Sequence, residues 1–477
     1  MSEEKFVSEY DEHNERVKER LDCVSDSFCL VKWKHSTINL AAGTVRNCCH
    51  SPSRPILGGE GKPLKFNDST KDQAVRKALL AGQKPDACSY CWWVEQKGIS
   101  HRIRWSGHAP LIEFYEEVAA ERTSEVSDPS WVELIFSPLC NLKCAYCSPE
   151  HSTSWKAEID EFGPYENPGH GDISYLDFHG ISPYKEQSEH LEEEFWIWFK
   201  KILPGLRRLT LTGGEPLINK SIERMYKFIL EGQYPLLELG FHTNASIPSA
   251  HWKPFIEFSK RAIAENRVKD IFLYPSIEGS GQQSEYVRFG LKRDLFDKNI
   301  EDYLTQTSGK LVFNSSLSNL SISGLKKHWE MVYRLKQRFQ GQWVSSTSEL
   351  IETPKWMRVS ILPKSYVRYV DEAINFVEPR RGPRKSQISD HELHGLHVVR
   401  ETLLRSESDK DLSKLRAQFW RFFTEYDRRR RVDRVQVFPE YAEFFDLCAK
   451  AAGEKISRKS FFGLRHGSLK SIAKAFQ

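Results

Sequence analysis

The chain has 477 residues, of which 39% are hydrophobic and 28% charged, a composition typical of a globular protein with about two to four domains. Its 69 basic and 65 acidic residues give a net charge of +4, which argues against a nucleic-acid substrate. No apolar run reaches the roughly 18 residues of a membrane span. The charged N-terminus lacks the apolar stretch of a signal peptide, so we expect no membrane association and a cytoplasmic location.

The sequence predicts the following segments, in order from the N-terminus. Residues 1–22 form a polar N-terminal segment, predicted as a helix or a frayed tail. Residues 23–100 are rich in cysteine and interrupted by Gly, Pro and Ser. They hold too little apolar material for a large core, and a bound metal could substitute for one.

Residues 126–378 alternate strand and helix patterns. The predicted strands span residues 131–136, 207–212, 236–243, 268–277, 310–317 and 356–362. The predicted helices between them span residues 193–203, 222–232, 252–265, 294–306 and 323–339. Such alternation predicts right-handed crossovers and a parallel sheet, here an α/β fold built as a partial (β/α)6 TIM-like barrel. Its chemistry is expected at the C-terminal ends of the strands.

Residues 379–477 are predicted as a helical C-terminal extension, joined by a linker at residues 377–386. Three histidines there, at positions 391, 394 and 397, have helical spacing and are predicted to form a solvated face rather than a metal site. The basic run at 428–431 is predicted to be exposed at a helix end, where it would favour the helix dipole.

Ten cysteines are unevenly distributed, and clustered thiols in the cytoplasm indicate metal or redox sites rather than disulfides. The first group contains Cys29, Cys48, Cys49, Cys88 and Cys91, and the second contains Cys140, Cys144 and Cys147. Cys23 and Cys448 stand apart and are predicted to be ordinary thiols.

The second group forms the motif CNLKCAYC at the end of the first predicted barrel strand. Thiolates are soft ligands that suit iron–sulfur clusters or zinc. Three close cysteines can hold three irons of a [4Fe–4S] cube and leave the fourth iron open to a small molecule. A structural zinc site would instead require four closed ligands.

CNLKCAYC resembles the signature loop of radical S-adenosylmethionine (SAM) enzymes, including the aromatic Tyr146. The resemblance implies that Cys140, Cys144 and Cys147 hold a [4Fe–4S] cluster whose open iron chelates SAM. It further implies reductive cleavage of SAM to a 5′-deoxyadenosyl radical that abstracts hydrogen from substrate, with an electron donor such as flavodoxin or ferredoxin. Relatives act on peptides, sugars or small metabolites, and the substrate here is left open.

The second predicted strand ends in TGGEP, which resembles the GGEP motif of the same enzymes. The resemblance implies that the backbone and the carboxylate of this motif meet the SAM ammonium group. The matching residues are Gly213, Gly214, Glu215 and Pro216. Glycines also let a backbone approach a ligand closely.

Later strands match less specifically. Thr243 and Asn244 end the third strand and are expected at the cavity, although an Asx-type turn explains them nearly as well. After the fourth strand, Ser276 is expected at the SAM ribose, and Arg288 at the SAM carboxylate or a neighbouring acid. Glu278 stands there in place of the usual Asp. Two further residues, Asn319 and Leu362, fit SAM-proximal positions only weakly.

The first cysteine group resembles the opening of SPASM and twitch domains, which hold an auxiliary iron–sulfur cluster. Cys29, Gly43 and Cys48 have the matching spacing, and CSYC supplies Cys88 and Cys91. The glycine is expected to permit a tight hairpin between the ligands.

Alternatives stay open for this group. Cys49 could replace Cys48, and a structural zinc could replace the auxiliary [4Fe–4S] cluster. In the best-known relatives this module follows the barrel, whereas here it precedes it. Three tryptophans, Trp33, Trp92 and Trp93, are expected to pack over the site. For the whole chain, the rival hypotheses are a zinc-stabilised binding protein and a catalytically inactive cluster-binding partner.

Overall fold

The computed structural model describes residues 9–56, 64–96, 100–125, 128–165, 189–406 and 410–454. Within these ranges the strands are β1 (His35–Asn39), β2 (Thr44–Arg46), β3 (Arg54–Pro55), β4 (Trp131–Ile135), β5 (Lys143–Cys144), β6 (Arg208–Thr212), β7 (Tyr234–Thr243), β8 (Val268–Pro275), β9 (Arg288–Phe289), β10 (Lys310–Phe313), β11 (Ser316–Leu317), β12 (Val344–Ser346) and β13 (Glu349–Leu350).

The helices of the N-terminal part are α1 (Glu9–Asp22), α2 (Val31–Lys34), α3 (Thr70–Leu80), α4 (Ser89–Glu95), α5 (His101–Ser106), α6 (Ala109–Ile112) and α7 (Tyr115–Glu121). Those that follow are α8 (Thr153–Phe162), α9 (Glu189–Ile202), α10 (Ser221–Glu231), α11 (Ser249–Ala264), α12 (Gly281–Val287), α13 (Arg293–Gln306), α14 (Leu325–Arg338), α15 (Val367–Val377), α16 (Asp390–Leu404), α17 (Leu412–Arg430), α18 (Arg434–Val437) and α19 (Ala442–Ala451). None of the helices in the described ranges has the length and apolar character needed to cross a bilayer.

One large sheet organises the described part of the chain, with strand order β12-β10-β8-β7-β6-β4-β1-β2-β3. Every neighbouring pair from β12 to β1 is parallel, and the β1-β2-β3 edge is antiparallel. This mostly parallel sheet with interleaved helices confirms the predicted α/β class, and five of the six predicted barrel strands correspond to β4, β6, β7, β8 and β10.

Side-chain alternation separates the two faces of the sheet. On β4, Val132 and Leu134 are fully buried in the main apolar core, whereas Glu133 and Ile135 line a cavity on the opposite face. Because successive side chains of a strand point to opposite faces, the same sequence serves both the core and the cavity.

The sixth predicted strand is wrong. Residues 356–362 form two 3₁₀ turns, Lys355–Met357 and Val359–Ile361, and the sheet is extended instead by β12. The segment lies between Pro354 and Pro363, which donate no backbone hydrogen bond to a ladder. Its alternating apolar side chains are buried against the core, and the carbonyl of Ile361 accepts a hydrogen bond from Arg416 Nε at 2.9 Å.

The cysteine-rich segment is joined to the central sheet. β1 pairs in parallel with β4 along its whole length, and β1 and β2 form a hairpin whose turn contains Gly43 at a φ of +62°. As predicted, the glycine is placed where the backbone is left-handed. Behind the hairpin, a second apolar cluster includes Val17, Leu21, Phe28, Leu79 and Leu111, so α1 and α3 to α7 share a small core of their own.

The predicted helical extension is confirmed as helical over α16 to α19, and its apolar residues belong to the same core as the barrel strands. The three histidines at 391, 394 and 397 lie on α16, as their spacing predicts.

The expectation for the basic run is wrong at Arg430, whose side chain is buried. Its guanidinium donates to Tyr165 Oη at 2.7 Å and pairs with Glu158 at 3.0 Å. Arg429 donates to the carbonyl of Gly163 at 2.8 Å. These contacts join the end of α17 to α8, the helix that follows the cysteine loop. The sequence did not indicate them, because the partners of these arginines lie on a distant element of the chain.

The shared core predicts cooperative unfolding of barrel and extension. We expect Phe423→Ala, which removes a fully buried ring stacked beside Tyr286, to lower the free energy of unfolding by about 3 to 5 kcal/mol. Urea titration followed by circular dichroism and tryptophan fluorescence measures the change. As a control, Val398→Ala, at an exposed position, should change the free energy of unfolding by less than about 0.5 kcal/mol. A separate early transition in the Phe423 variant would show that the extension unfolds on its own.

Candidate functional site

A cavity of about 380 Å³ lies on the inner sheet face at the C-terminal ends of the strands. It is lined by Ile135, Thr212, Thr243 and Asn314, which end or follow β4, β6, β7 and β10. The sequence-predicted residues that also line it are Cys140, Cys144, Tyr146, Cys147, Gly213, Gly214, Asn244, Ser276 and Arg288. The fold thus brings ten of the residues predicted from separate motifs, Thr243 among them, to one cavity.

The cysteine loop is held by backbone pairing on one side. β5, which contains Cys144, pairs antiparallel with β9, and the amide of Ala145 donates to the carbonyl of Val287 at 2.7 Å. On the other side, Ser152 caps α8 and donates to the carbonyl of Leu142 at 2.6 Å. The loop therefore has a defined backbone path that does not depend on the cysteine side chains.

Hydrogen bonds from α8 fix the individual cysteines. The indole of Trp155 donates to the carbonyl of Cys144 at 2.8 Å. Ser154 Oγ donates to the carbonyl of Cys140 at 2.8 Å, and the amide of Cys140 donates to Thr153 Oγ1 at 3.2 Å. Polar residues at the start of α8 therefore set the direction of the loop backbone, and the order of the sequence places this helix immediately after the last cysteine.

A buried ion pair lies beside the middle cysteine. Arg288 pairs with Glu278 at 2.5 Å and approaches Cys144 Sγ to 3.8 Å, while Tyr146 Oη donates to Glu278 at 2.8 Å. Burial raises the pKa of the Cys144 thiol, and the Arg288 charge opposes that rise. The neighbouring acid expected for Arg288 is thus Glu278, which also fixes the Tyr146 ring.

Burial acts similarly on the other two thiols. It raises the pKa of Cys140 to about 12, and it raises the pKa of Cys147, with Cys144 adding to both shifts. Without a bound cation these thiols are protonated at neutral pH. A metal that binds these thiols therefore has to displace their protons.

The two glycines of TGGEP are required by the cysteine loop itself. A Cβ on Gly214 would lie 2.4 Å from the carbonyl oxygen of Leu139, and one on Gly213, whose φ is +114°, would lie 2.7 Å from Ile135 Cγ2. The amide of Glu215 donates to the same Leu139 carbonyl at 2.7 Å. From the sequence, the glycines are expected to let the backbone approach a ligand closely. In the structure they let the turn after β6 approach the cysteine loop closely.

Glu215 lies beneath the cavity rather than in its lining. Its carboxylate accepts hydrogen bonds from Thr243 Oγ1 at 2.8 Å and from the amide of Asn244 at 2.6 Å, and it caps the turn that begins at Pro216. Burial raises the pKa of Glu215 to about 7, although these donors oppose the shift. In this arrangement the acid orients the end of β7, and its contact with the SAM ammonium group stays a prediction.

Asn244 forms the Asx-type turn considered from the sequence, because its Oδ1 accepts from the amide of Ser246 at 2.9 Å. Its Nδ2 donates to Asn141 of the cysteine loop at 2.8 Å. Asn244 therefore forms the turn and also lines the cavity, so both expectations for this residue are met. The two weaker candidates, Asn319 and Leu362, are buried in the core and do not line the cavity.

The first cysteine group surrounds a second, smaller cavity of about 20 Å³. Cys29, Cys48, Cys88 and Cys91 all line it, brought together from the loop before α2, the strand end after β2, and the turn into α4. Cys49 is not in its lining, so the geometry favours Cys48 as the candidate ligand. Lys32 and Arg102 also line it, and their positive charges offset the charge that four thiolates would bring.

The thiols of this second cavity differ from one another in their pKa shifts. Burial raises the pKa of Cys29 to about 12 and raises the pKa of Cys91. The Cys49 thiol donates a hydrogen bond that lowers the pKa of Cys48 to about 6.

The three tryptophans expected to cover the second cavity lie in different positions relative to it. Trp92 lines it and donates to the carbonyl of Pro85 at 3.1 Å, and Trp33 is buried against Phe28. Trp93 is 46% exposed, so it does not exclude water from the thiols.

Several cavity residues had not been singled out from the sequence: Arg46, Glu133, His151 and His242. The alternation of WVELIF could have indicated Glu133, because an acid between two apolar strand positions points to the opposite face. Arg46 carried no such signal, since only the pairing of β2 with β1 brings it to the barrel.

The side chains of both cysteine sets are of the kind that bind iron–sulfur clusters. Within the described ranges, no three His, Cys, Asp or Glu side chains converge closely enough to hold a single metal ion. Each cysteine set instead lies around a void, with soft sulfur donors and neighbouring cations. Three thiols at the larger cavity match a cube with one open iron, and four at the smaller cavity match a fully ligated one.

Comparison with known proteins gives one partial similarity. A stretch of 136 residues, 28% of this chain, is 30% identical to GTP 3′,8-cyclase of Sulfurimonas denitrificans (strain ATCC 33889 / DSM 1251). The match spans 30% of the length of that cyclase. No protein-family model matches the chain. The similarity supports a relationship to radical SAM enzymes in general terms.

The Arg288–Glu278 pair predicts a characteristic mutational pattern. We expect Glu278→Leu to lower the free energy of unfolding of the metal-free protein by about 3 to 5 kcal/mol, because it leaves a buried guanidinium unpaired. The double variant Glu278→Leu/Arg288→Met should lower the free energy of unfolding by clearly less than the sum of the decreases in the two single variants. Anaerobic urea titration of all four proteins measures the coupling. Additive losses would show that the two charges do not compensate one another.

Proposed function

We propose that this chain is a radical SAM enzyme with two iron–sulfur clusters. The scaffold for this function is a partial (β/α)6 barrel, preceded by a twitch-like module and followed by a helical extension. The observation that carries the proposal is the convergence of the CNLKCAYC thiols, the TGGEP turn and the later strand ends on one cavity. The cysteine loop, the glycines of the TGGEP turn and Arg288 come from separate segments of the chain, and all of them line this cavity.

Cys140, Cys144 and Cys147 are the proposed ligands of the SAM-binding [4Fe–4S] cluster. When bound, that cluster and SAM supply reductive cleavage and the 5′-deoxyadenosyl radical for hydrogen abstraction. The chain positions these groups: Trp155 and Ser154 orient the ligand loop, and Arg288 brings a positive charge to Cys144.

SAM would be held at the ends of β6, β7 and β8, by the backbone of Gly213 and Gly214, by Thr243 and Asn244, and by Ser276. All of them line the cavity.

Cys29, Cys48, Cys88 and Cys91 are the proposed ligands of an auxiliary [4Fe–4S] cluster. The convergence of four thiols from three separate segments on one small cavity supports this assignment. We further propose a cytoplasmic location and a small reducing protein, such as flavodoxin or ferredoxin, as electron donor. The substrate class is addressed separately below.

The decisive experiment combines anaerobic reconstitution with a SAM cleavage assay. Cys144→Ala should abolish 5′-deoxyadenosine formation with dithionite and lose about half of the bound iron, because one cluster loses a ligand and the other stays intact. Cys88→Ala should lose the other half of the iron. As a matched control, the exposed Cys23→Ala should keep both the iron content and the activity.

Specific outcomes would contradict the proposal. Loss of all iron from Cys144→Ala would show that a single site exists. A colourless protein that binds zinc at both sites would support a zinc-stabilised binding protein. An iron-loaded protein that forms no 5′-deoxyadenosine, even with candidate substrates, would be an inactive cluster-binding partner.

A further inference from the structure

The inner face of the sheet continues past the barrel into the N-terminal hairpin. The strand register places Thr37 opposite both Arg46 of β2 and Glu133 of β4. Paired residues on neighbouring strands point to the same face, so these three side chains form one row across β2, β1 and β4. Both charged members of the row line the larger cavity.

Arg46 is a half-buried cation in this cavity whose guanidinium forms no hydrogen bond or ion pair with any residue in the described ranges. The other arginine of the lining, Arg288, forms an ion pair with Glu278. Glu133 accepts a hydrogen bond from Thr37 at 3.1 Å. The Arg46 charge opposes the rise that burial causes in the pKa of Glu133, although the two groups form no ion pair.

A partly desolvated guanidinium without a hydrogen-bond partner is unfavourable unless an anion accepts its hydrogen bonds. Its five donors are arranged as a fork that matches carboxylate or phosphate oxygens in a bidentate manner. Glu133 offsets part of the Arg46 charge from a distance, whereas the hydrogen-bond donors of the guanidinium are left for a ligand.

The position of Arg46 separates it from the proposed SAM residues. Those residues lie at the ends of β6, β7 and β8, whereas β2 is three strands beyond β6. At strand spacings near 4.8 Å this is roughly 14 Å along the sheet. Arg46 is also two residues before Cys48, so a ligand held there lies beside the auxiliary site.

We propose that Arg46 binds a phosphate or carboxylate group of the substrate, and that the substrate is therefore an anionic molecule seated between the two cysteine sites. This inference rests on the proposed function, since it names the substrate class of that reaction. The residue is a contribution of the N-terminal hairpin to a site otherwise built by the barrel.

The test measures binding rather than turnover. Equilibrium dialysis of the reconstituted full chain is carried out with labelled pyrophosphate and, separately, with labelled glutarate. Wild type should bind at least one of the two anions. Arg46→Gln should weaken that binding about tenfold or more, the size expected for a lost charge-assisted hydrogen bond, and Arg46→Lys should weaken it less. Preference between the probes distinguishes a phosphate from a carboxylate ligand.

Controls separate the alternatives. Arg104→Gln removes an arginine from α5 outside the cavity and should leave anion binding unchanged. SAM affinity should be the same within about twofold in Arg46→Gln. Circular dichroism should show that both Arg46 variants are folded, and Arg46→Lys serves as the readout if the Gln variant is not.

Three results would overturn the inference: wild type binds neither anion, Arg46→Gln binds as tightly as wild type, or Arg46→Gln loses SAM affinity instead. The last result would assign Arg46 to the SAM carboxylate. Failure of the proposed function looks different, because a chain that does not cleave SAM can still bind pyrophosphate through Arg46.

Discussion

The parallel pairing of β1 with β4 is the constraint on which the arrangement of both cysteine sites depends. β4 leads directly into the CNLKCAYC loop, and β1 leads through its hairpin to Cys48. Because a backbone ladder fixes strand register to one residue, the two sites are positioned relative to each other by hydrogen bonds and not by a flexible linker. The pairings of β1 with β4 and with β2 bring Glu133 and Arg46 to the larger cavity.

The cysteine loop is stabilised by the protein from both sides. β9 pairs with its backbone, and α8 binds its carbonyls. The buried Arg430–Glu158 contact then holds α8 against α17, so the C-terminal extension supports the loop through one intermediate helix. A loop whose backbone is already ordered loses little conformational freedom when its side chains bind a ligand, which lowers the entropic cost of binding.

The TGGEP turn shows how one motif can serve two physical needs. Its glycines permit the close contact with Leu139, and its acid orders Thr243 and Asn244 at the end of β7. A ligand at the cavity would meet a surface whose three components, the loop, the turn and the β7 end, are already bound to one another. The motif therefore positions the site even where its side chains do not line it.

The sequence by itself determined the α/β class, five parallel strands of the sheet and the two groups of cysteines, because alternation, helical periodicity and thiol spacing are local properties of the chain. Only the tertiary structure decided that β12 and not residues 356–362 extends the sheet, that Arg430 is buried, and that Arg46 faces the cavity. Each of these depends on which distant segment packs against the residue. Burial and charge compensation arise from such long-range contacts, and they leave no periodic pattern in the sequence.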